Sequence, residues 1–200
     1  MPLALAFSLC DTTAWPRNST VTHLNSWAIS SEPGISGHIN SLSHVNTPAH
    51  FLDQHWDGTL PIDPERVANR AGIRVIADPQ LSQEGLSGKY AVEDGVPTIR
   101  YSPSEPKVRQ RFTIAHELGH HALGHPASYR DPAAHFSSTT FDPFEAAANR
   151  FAAALLMPKD ILLFRIGEMT NPNLRDLAND FGVSQAAMHY RLKNLGILYG

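Results

Sequence analysis

The segment HELGH at residues 116–120 constrains this chain more than any other feature. Two histidines four positions apart lie on the same face of an α-helix, so both imidazoles can reach a single metal ion. Glu117 lies next to the first of them and would project toward a metal-bound water. The pattern predicts a helix that carries two metal ligands and a general base. The metal that this donor set favours is zinc, one ion per chain.

The residues around this motif have the spacing of an amphipathic helix. Apolar side chains recur at helical intervals over residues 109–123, and residues 104–106 supply start signals upstream. Gly124 and Pro126 supply the stop signals. The alternative is a histidine-rich surface helix without a metal, and the agreement of period, start and stop argues against it.

A catalytic zinc site needs a third protein ligand and leaves its fourth position to water. Glu145 is the favoured candidate because it begins a second predicted helix, over about residues 143–157, as in sites built from two histidines and a glutamate. The same residue also fits a capping box with Asp142 as the N-cap, and local sequence alone does not decide between the two roles. Asp131, His135 and Asp142 remain fallback ligands.

Two further histidines near the motif fit a metal site less well. The extended zinc-binding pattern places a Gly three residues and a third His six residues after the second His, but Leu123 and Pro126 occupy those positions. His125 therefore misses the required spacing by one residue. His121 follows His120 directly, and adjacent helical positions do not share a face. We interpret His121 and His125 as bystanders or as groups that contact a metal ligand.

Three segments carry a family resemblance: residues 109–120 (RQRFTIAHELGH), residues 145–158 (EAAANRFAAALLMP) and the hairpin within residues 86–101. Together they resemble the ImmA/IrrE-type metallopeptidases of bacteria and their mobile elements. The first is similar to the family's RQRFTLAHELGH helix, and the second to its signature E-x-E-A-N-x-F-A-A-x-L-L-M-P. The resemblance covers about residues 60–198. One departure is Ala147, where many relatives carry a second glutamate.

The resemblance implies a zinc-dependent endopeptidase in which His116, His120 and Glu145 hold the metal and Glu117 is the general base. It favours the ligand role of Glu145 over the capping role. It also implies a protein substrate, a helix-turn-helix repressor whose cleavage induces stress-response or mobile-element genes. Candidates for stabilising the oxyanion are Tyr90, Tyr101 and His135.

The pattern of elements predicts an α+β fold. We expect a small antiparallel sheet packed with the HExxH helix and the second signature helix in a zincin-type arrangement, followed by a C-terminal helix-turn-helix-like segment. Strand-prone runs joined by the turn at residues 93–95 predict a hairpin in that sheet. We divide the chain into a variable N-terminal extension (1–56), a peptidase core (57–168) and the C-terminal segment (169–200).

Composition narrows the cellular setting and the class of partner. The chain has one cysteine, Cys10, which excludes an internal disulfide framework. Its net charge of −3 excludes a bulk electrostatic attraction to nucleic acid. Its first ten residues lack a basic region and are too short to span a membrane, so we expect a cytoplasmic protein with no membrane partner. Residues 1–56 are rich in Ser, Thr, Asn and His, which is typical of a poorly ordered or partly packed extension. Its five histidines match no ligand motif; they are His23, His38, His44, His50 and His55.

Residues 171–195 have the spacing of a helix-turn-helix, with the turn at Gly182 and a cap at Ser184. Asp176 and Asp180 dilute the positive charge of this segment, so we favour a structural or partner-docking role over direct DNA binding. Residues that could face DNA are Gln185, His189, Arg191 and Lys193. The competing hypothesis is a DNA-binding or toxin–antitoxin regulatory partner with a structural or sensory metal site.

Overall fold

The computed structural model describes residues 46–125, 128–130 and 142–198. Within them the helices are α1 (Pro48–His55), α2 (Pro64–Arg70), α3 (Gln80–Gln83), α4 (Lys107–Ala122), α5 (Pro143–Leu156), α6 (Lys159–Glu168), α7 (Leu174–Phe181) and α8 (Gln185–Asn194). The strands are β1 (Arg74–Ala77), β2 (Gly88–Glu93), β3 (Val96–Tyr101) and β4 (Ser128–Arg130). The fold is α+β, as the sequence predicts. Outside the described residues lie positions 1–45, with Cys10, His23, His38 and His44, and also Pro126, Asp131 and His135.

The sheet is mixed, which corrects the prediction of a purely antiparallel one. Its strand order is β1-β3-β2-β4, and β2 runs antiparallel to both β3 and β4. The β2–β3 hairpin turns at Asp94 (φ 50°) and Gly95 (φ 78°), two adjacent left-handed residues as a tight hairpin requires. β1 instead runs parallel to β3, from Arg74 opposite Thr98 to Ala77 opposite Tyr101. A strand's residue pattern records which face is buried and not the direction of its neighbour, so the sequence missed this pairing.

Helix α4 is the central element of the core. It contacts β2, β3, α2 and α5, and every residue from Thr113 to His120 is buried. A helix that is buried on all sides has no solvent face on which to place its polar residues. His116, Glu117 and His120 are nevertheless at most 1% exposed. Burying a neutral polar group costs roughly 2–7 kcal/mol unless hydrogen bonds compensate, so the partners of these side chains decide what they do.

Gly119 allows α4 and α5 to cross closely. A Cβ atom at Gly119 would lie 3.1 Å from Cβ of Phe151 and 3.2 Å from both Cα and the carbonyl oxygen of Ala148. Two of these three atoms belong to the backbone of α5, which cannot rotate away as a side chain can. Glu145 lies three residues before Ala148 on the same helix. The missing side chain at Gly119 thus brings the first turn of α5 against the HExxH helix.

Valine at position 119 should separate these two helices. We expect Gly119→Val to lower the free energy of unfolding by about 1–3 kcal/mol, the range of an overpacked core, as measured by urea denaturation. Gly167→Val is the matched control, because Gly167 is also helical and a Cβ there would meet nothing within 4 Å. Equal effects of the two substitutions would show that the close crossing does not matter.

The segment that contains α7 and α8 is joined to the core by arginines. Arg111, on α4, donates from Nε to the carbonyl oxygen of Gly182 at 3.0 Å and from Nη2 to that of Ile62 at 2.5 Å. Arg191, on α8, donates from Nε to the carbonyl oxygen of Met157 at 2.9 Å. This corrects the expectation that Arg191 is available to face DNA, since its guanidinium is turned toward the core. The side chains of Leu177, Phe181, Met188 and Leu192 are buried in the same core cluster.

Helix α1 comes from the end of the predicted N-terminal extension and packs on α5. Its residues Phe51 and Leu52 are buried, and the rings of Phe51 and Phe151 meet edge to face with centroids 5.9 Å apart. The predicted extension therefore contributes one helix to the core. Across the described parts of the chain, we find no helix with both the length and the apolar character that crossing a bilayer demands.

Candidate metal centre

His116, His120 and Glu145 converge at the crossing of α4 and α5. The two Nε2 atoms of the histidines are 3.0 Å apart. Nε2 of His116 lies 3.1 Å from Oε2 of Glu145, and Nε2 of His120 lies 3.1 Å from Oε1 of the same carboxylate. All of the ligand atoms lie within 4.8 Å of one another. The structure thus brings together the three residues that the sequence predicts as metal ligands.

The orientation of His116 fits a metal ligand. Its Nδ1 atom lies 3.0 Å from Oδ1 of Asn149, and because an amide oxygen accepts, the ring proton belongs on Nδ1. Nε2 then presents a lone pair to the cluster. With His120 in the same form, two ring nitrogens and two carboxylate oxygens face one another, and such a set requires a cation or shared protons between them. Two histidines and one glutamate, with room for a fourth ligand, match the donor set of catalytic zinc sites.

Glu145 and Asp142 divide the two roles that the sequence left open. Asp142 is the N-cap of α5, and its Oδ1 accepts from the backbone N–H groups of Phe144 at 2.8 Å and Glu145 at 3.4 Å. The carboxylate of Glu145 lies against the two histidines instead. When no metal ion occupies the cluster and the Nε2 atoms carry protons instead, hydrogen bonds from His116 and then His120 hold the pKa of Glu145 well below its usual value, so this group is a carboxylate near neutral pH. Asp142 therefore serves as a cap in this structure.

Glu117 lies between α4 and the start of β2. Its side chain is buried, and Oε1 lies 3.3 Å from the position that a Cβ atom would take at Gly88. That same position is only 2.4 Å from Cγ2 of Thr113. Gly88 is thus needed for β2 to approach this part of α4. Glu117 is next to His116 in the chain, and its role as general base stays a prediction.

Comparison with known proteins now identifies the family. The family model described as the IrrE N-terminal-like domain, Peptidase_M78, matches residues 68–193, which is more than half of the chain. The chain belongs to the Peptidase_M78 family. This confirms the resemblance to the ImmA/IrrE metallopeptidases, and the match extends through α7 into α8.

Other comparisons add little to the family match. None of the curated proteins is significantly similar to the chain. Among solved structures, a Mycobacterium tuberculosis transcriptional regulator is similar with 18% sequence identity and a TM-score of 0.42. The match covers 65% of this chain and 39% of the regulator, so this chain spans well under half of that protein. A likeness at this level supports no conclusion about function.

Two tyrosines of this Peptidase_M78 chain were predicted to stabilise an oxyanion. The hydroxyl of Tyr90 lies 2.9 Å from Nδ1 of His121, so each group is the other's hydrogen-bond partner. Burial raises the pKa of Tyr90, and burial together with the charge of Glu65 raises the pKa of Tyr101. Both hydroxyls therefore stay protonated near neutral pH. His121 pairs with Tyr90 and is not one of the three residues of the metal cluster.

Sequence reasoning overlooked Asn149 and left His125 undecided. Asn149 is four residues after Glu145 in α5, so both side chains lie on one helix face, and this spacing could have revealed it. His125 contacts a candidate ligand: its Nδ1 atom lies 3.0 Å from Nδ1 of His120. Burial, and then the proximity of His120, lower the pKa of His125. Each of the two histidines of the motif thus has one partner at Nδ1.

Proposed function

We propose that this Peptidase_M78 chain is a zinc-dependent endopeptidase. His116, His120 and Glu145 would hold the ion, one per chain, and Glu117 would be the general base. The observation that supports this most is the convergence of the three side chains from two helices, with their ligand atoms within 4.8 Å of one another. A zinc ion bound there would act as a Lewis acid and lower the pKa of its water.

The protein's own groups would carry out the proton transfers. Glu117 would take a proton from the attacking water and later pass it to the leaving amine. Its burial beside β2 excludes bulk water that would compete for this proton. Asn149 holds the ring of His116 with Nε2 toward the cluster, so this histidine is oriented before substrate arrives.

We propose a helix-turn-helix repressor as the protein substrate, and a cytoplasmic location that follows from such a substrate. The family resemblance supports this choice. Helices α7 and α8, with left-handed Gly182 between them, would form a helix-turn-helix-like segment that docks the partner. A shallow groove of about 450 Å³ on its outer face is lined by Leu174, Gln185, Ala186, His189, Tyr190 and Lys193. Tyr190 is 66% exposed there, as expected of a side chain that binds another protein.

The competing hypothesis is a DNA-binding or toxin–antitoxin partner with a structural or sensory metal site. Arg191 donates to a core carbonyl, which leaves Lys193 and His189 as the basic groups on the outer face of α8. A structural zinc site is usually closed by four protein ligands, whereas the cluster within the described residues has three. Both observations favour the peptidase.

Incubation with a candidate repressor tests the proposal. We expect the zinc-loaded full chain to cut a helix-turn-helix repressor encoded beside its gene at one site, as seen by gel electrophoresis and mass spectrometry. A zinc chelator should stop the reaction, and casein should stay intact because specificity would depend on docking. Absence of any cut, together with salt-sensitive DNA binding that Lys193→Ala abolishes, would favour the competing hypothesis instead.

A further inference from the structure

The end of helix α4 folds His125 back over His120. The N–H group of Gly124 donates to the carbonyl oxygen of His121 at 3.1 Å, and that of His125 donates to the carbonyl oxygen of His120 at 2.9 Å. Gly124 is left-handed, with φ 66°. These bonds form a Schellman motif. In this motif the second residue after the C-cap donates its N–H group to a carbonyl in the last turn of the helix, and its side chain contacts the residue that carries that carbonyl. An apolar pair frequently makes this contact in the motif, whereas here it is a pair of imidazoles.

The side chains of this pair meet through specific atoms. Their Nδ1 atoms are 3.0 Å apart, and the ring centroids are 5.0 Å apart with an interplanar angle of 71°. One ring must donate and the other accept, because two lone pairs at this distance repel. Nε2 of His120 faces the carboxylate of Glu145 and the ring of His116, and once this atom binds a metal ion the proton of His120 must lie on Nδ1. His125 is then the acceptor.

Helix α5 fixes the other side of His125. The ring of Phe144 lies against it, with centroids 4.7 Å apart and an interplanar angle of 67°. Phe144 immediately precedes Glu145. The imidazole of His125 is therefore held between the two helices that supply the metal cluster, which limits its rotation.

We propose that His125 is a positioning residue for the metal site. By accepting from Nδ1–H of His120, it fixes the tautomer and the ring rotation that direct Nε2 of His120 to the ion. Asn149 does the same for His116, at the same distance of 3.0 Å. This inference rests on the proposed function, because it concerns the zinc that the cluster would hold.

Two nearly isosteric substitutions separate hydrogen bonding from packing. His125→Leu fills the space without an acceptor, and we expect it to weaken zinc binding by about 10–100-fold, the usual effect of losing the partner of a ligand. His125→Asn places an amide oxygen close to the position of Nδ1, so we expect zinc affinity to return to within about threefold of the parent. Competition between each full-length protein and a chromophoric zinc chelator measures the affinities.

His121→Leu is the matched control. It makes the same change at the next histidine of the same helix end, where the partner is Tyr90 and not a candidate ligand. Its zinc affinity should stay within about threefold of the parent, since no partner of a ligand is lost. Circular dichroism of the metal-free proteins checks folding. If His125→Leu does not fold, His125→Ala takes its place, because it removes the acceptor without adding bulk.

The outcomes distinguish this inference from the proposed function. Weak binding by His125→Leu with recovery in His125→Asn supports the positioning role. Parent-like binding by His125→Leu, or equally weak binding by both variants, overturns that role while leaving a metal-binding parent in place. A parent that binds no zinc overturns the proposed function and the inference together.

Discussion

Glutamine at position 117 should leave the protein folded and able to bind zinc, yet lower its turnover by about 10²–10⁴-fold, the usual contribution of a general base. The amide has the shape of the carboxylate but cannot take a proton from water. The substitution should not destabilise the fold, because a neutral amide costs no more to bury than the carboxyl group that it replaces. Initial rates of repressor cleavage, at saturating and at low repressor concentration, should show that kcat falls far more than KM.

Glu105→Gln is the matched control for this experiment. Glu105 precedes α4, is largely buried and accepts from Oγ of Ser87 at 2.7 Å. Its substitution makes the same chemical change close to the same helix, and we expect turnover to stay near that of the parent. Full activity in Glu117→Gln would exclude the general-base role. Loss of zinc together with activity would instead give Glu117 a part in holding the metal.

The HExxH helix could be predicted from the sequence because its signals are local. The apolar period and the motif spacing lie within α4, and the stop residue Gly124 comes two positions after its last residue. The β2–β3 hairpin is local as well, since the turn residues Asp94 and Gly95 determine it. The direction of β1 and the inward turn of Arg191 depend on segments far away in the chain. No local pattern records such contacts, and the sequence missed both.

The role of Glu145 shows the same limit within the candidate site. Its capping alternative depended on three neighbouring residues, whereas its contact with the histidines depends on how α5 crosses α4. That crossing is set by Gly119 against Ala148, a pair of small residues on different helices. The sequence left the role of His125 open for the opposite reason. Its contact with His120 is local, but it depends on the left-handed backbone of Gly124, and the sequence predicts that glycine only as a helix stop. The same turn that ends the helix brings His125 against the candidate ligand.

Removal of the Glu145 carboxylate should nearly abolish zinc binding. If three ligands share an apparent binding free energy of about 10–16 kcal/mol roughly equally, each contributes about 3–5 kcal/mol, so Glu145→Ala should weaken zinc affinity by on the order of 10³-fold. His116→Ala should have a similar effect. Elemental analysis of the purified proteins should find near one zinc per parent chain and almost none in either variant, and chelator competition should give the affinities.

Two controls separate the ligand role of Glu145 from its position in the first turn of a helix. Helix α2, like α5, begins with an Asp cap followed by Pro and carries a glutamate, Glu65, in its first turn. Glu65→Ala removes that glutamate and should not change zinc affinity. Asp142→Ala removes the cap of α5 and should lower the free energy of unfolding by about 0.5–2 kcal/mol while the ligands stay in place. If Glu145→Ala binds zinc as tightly as the parent, Glu145 is not a ligand and only interacts favourably with the helix N-terminus. The third ligand would then have to come from another part of the chain.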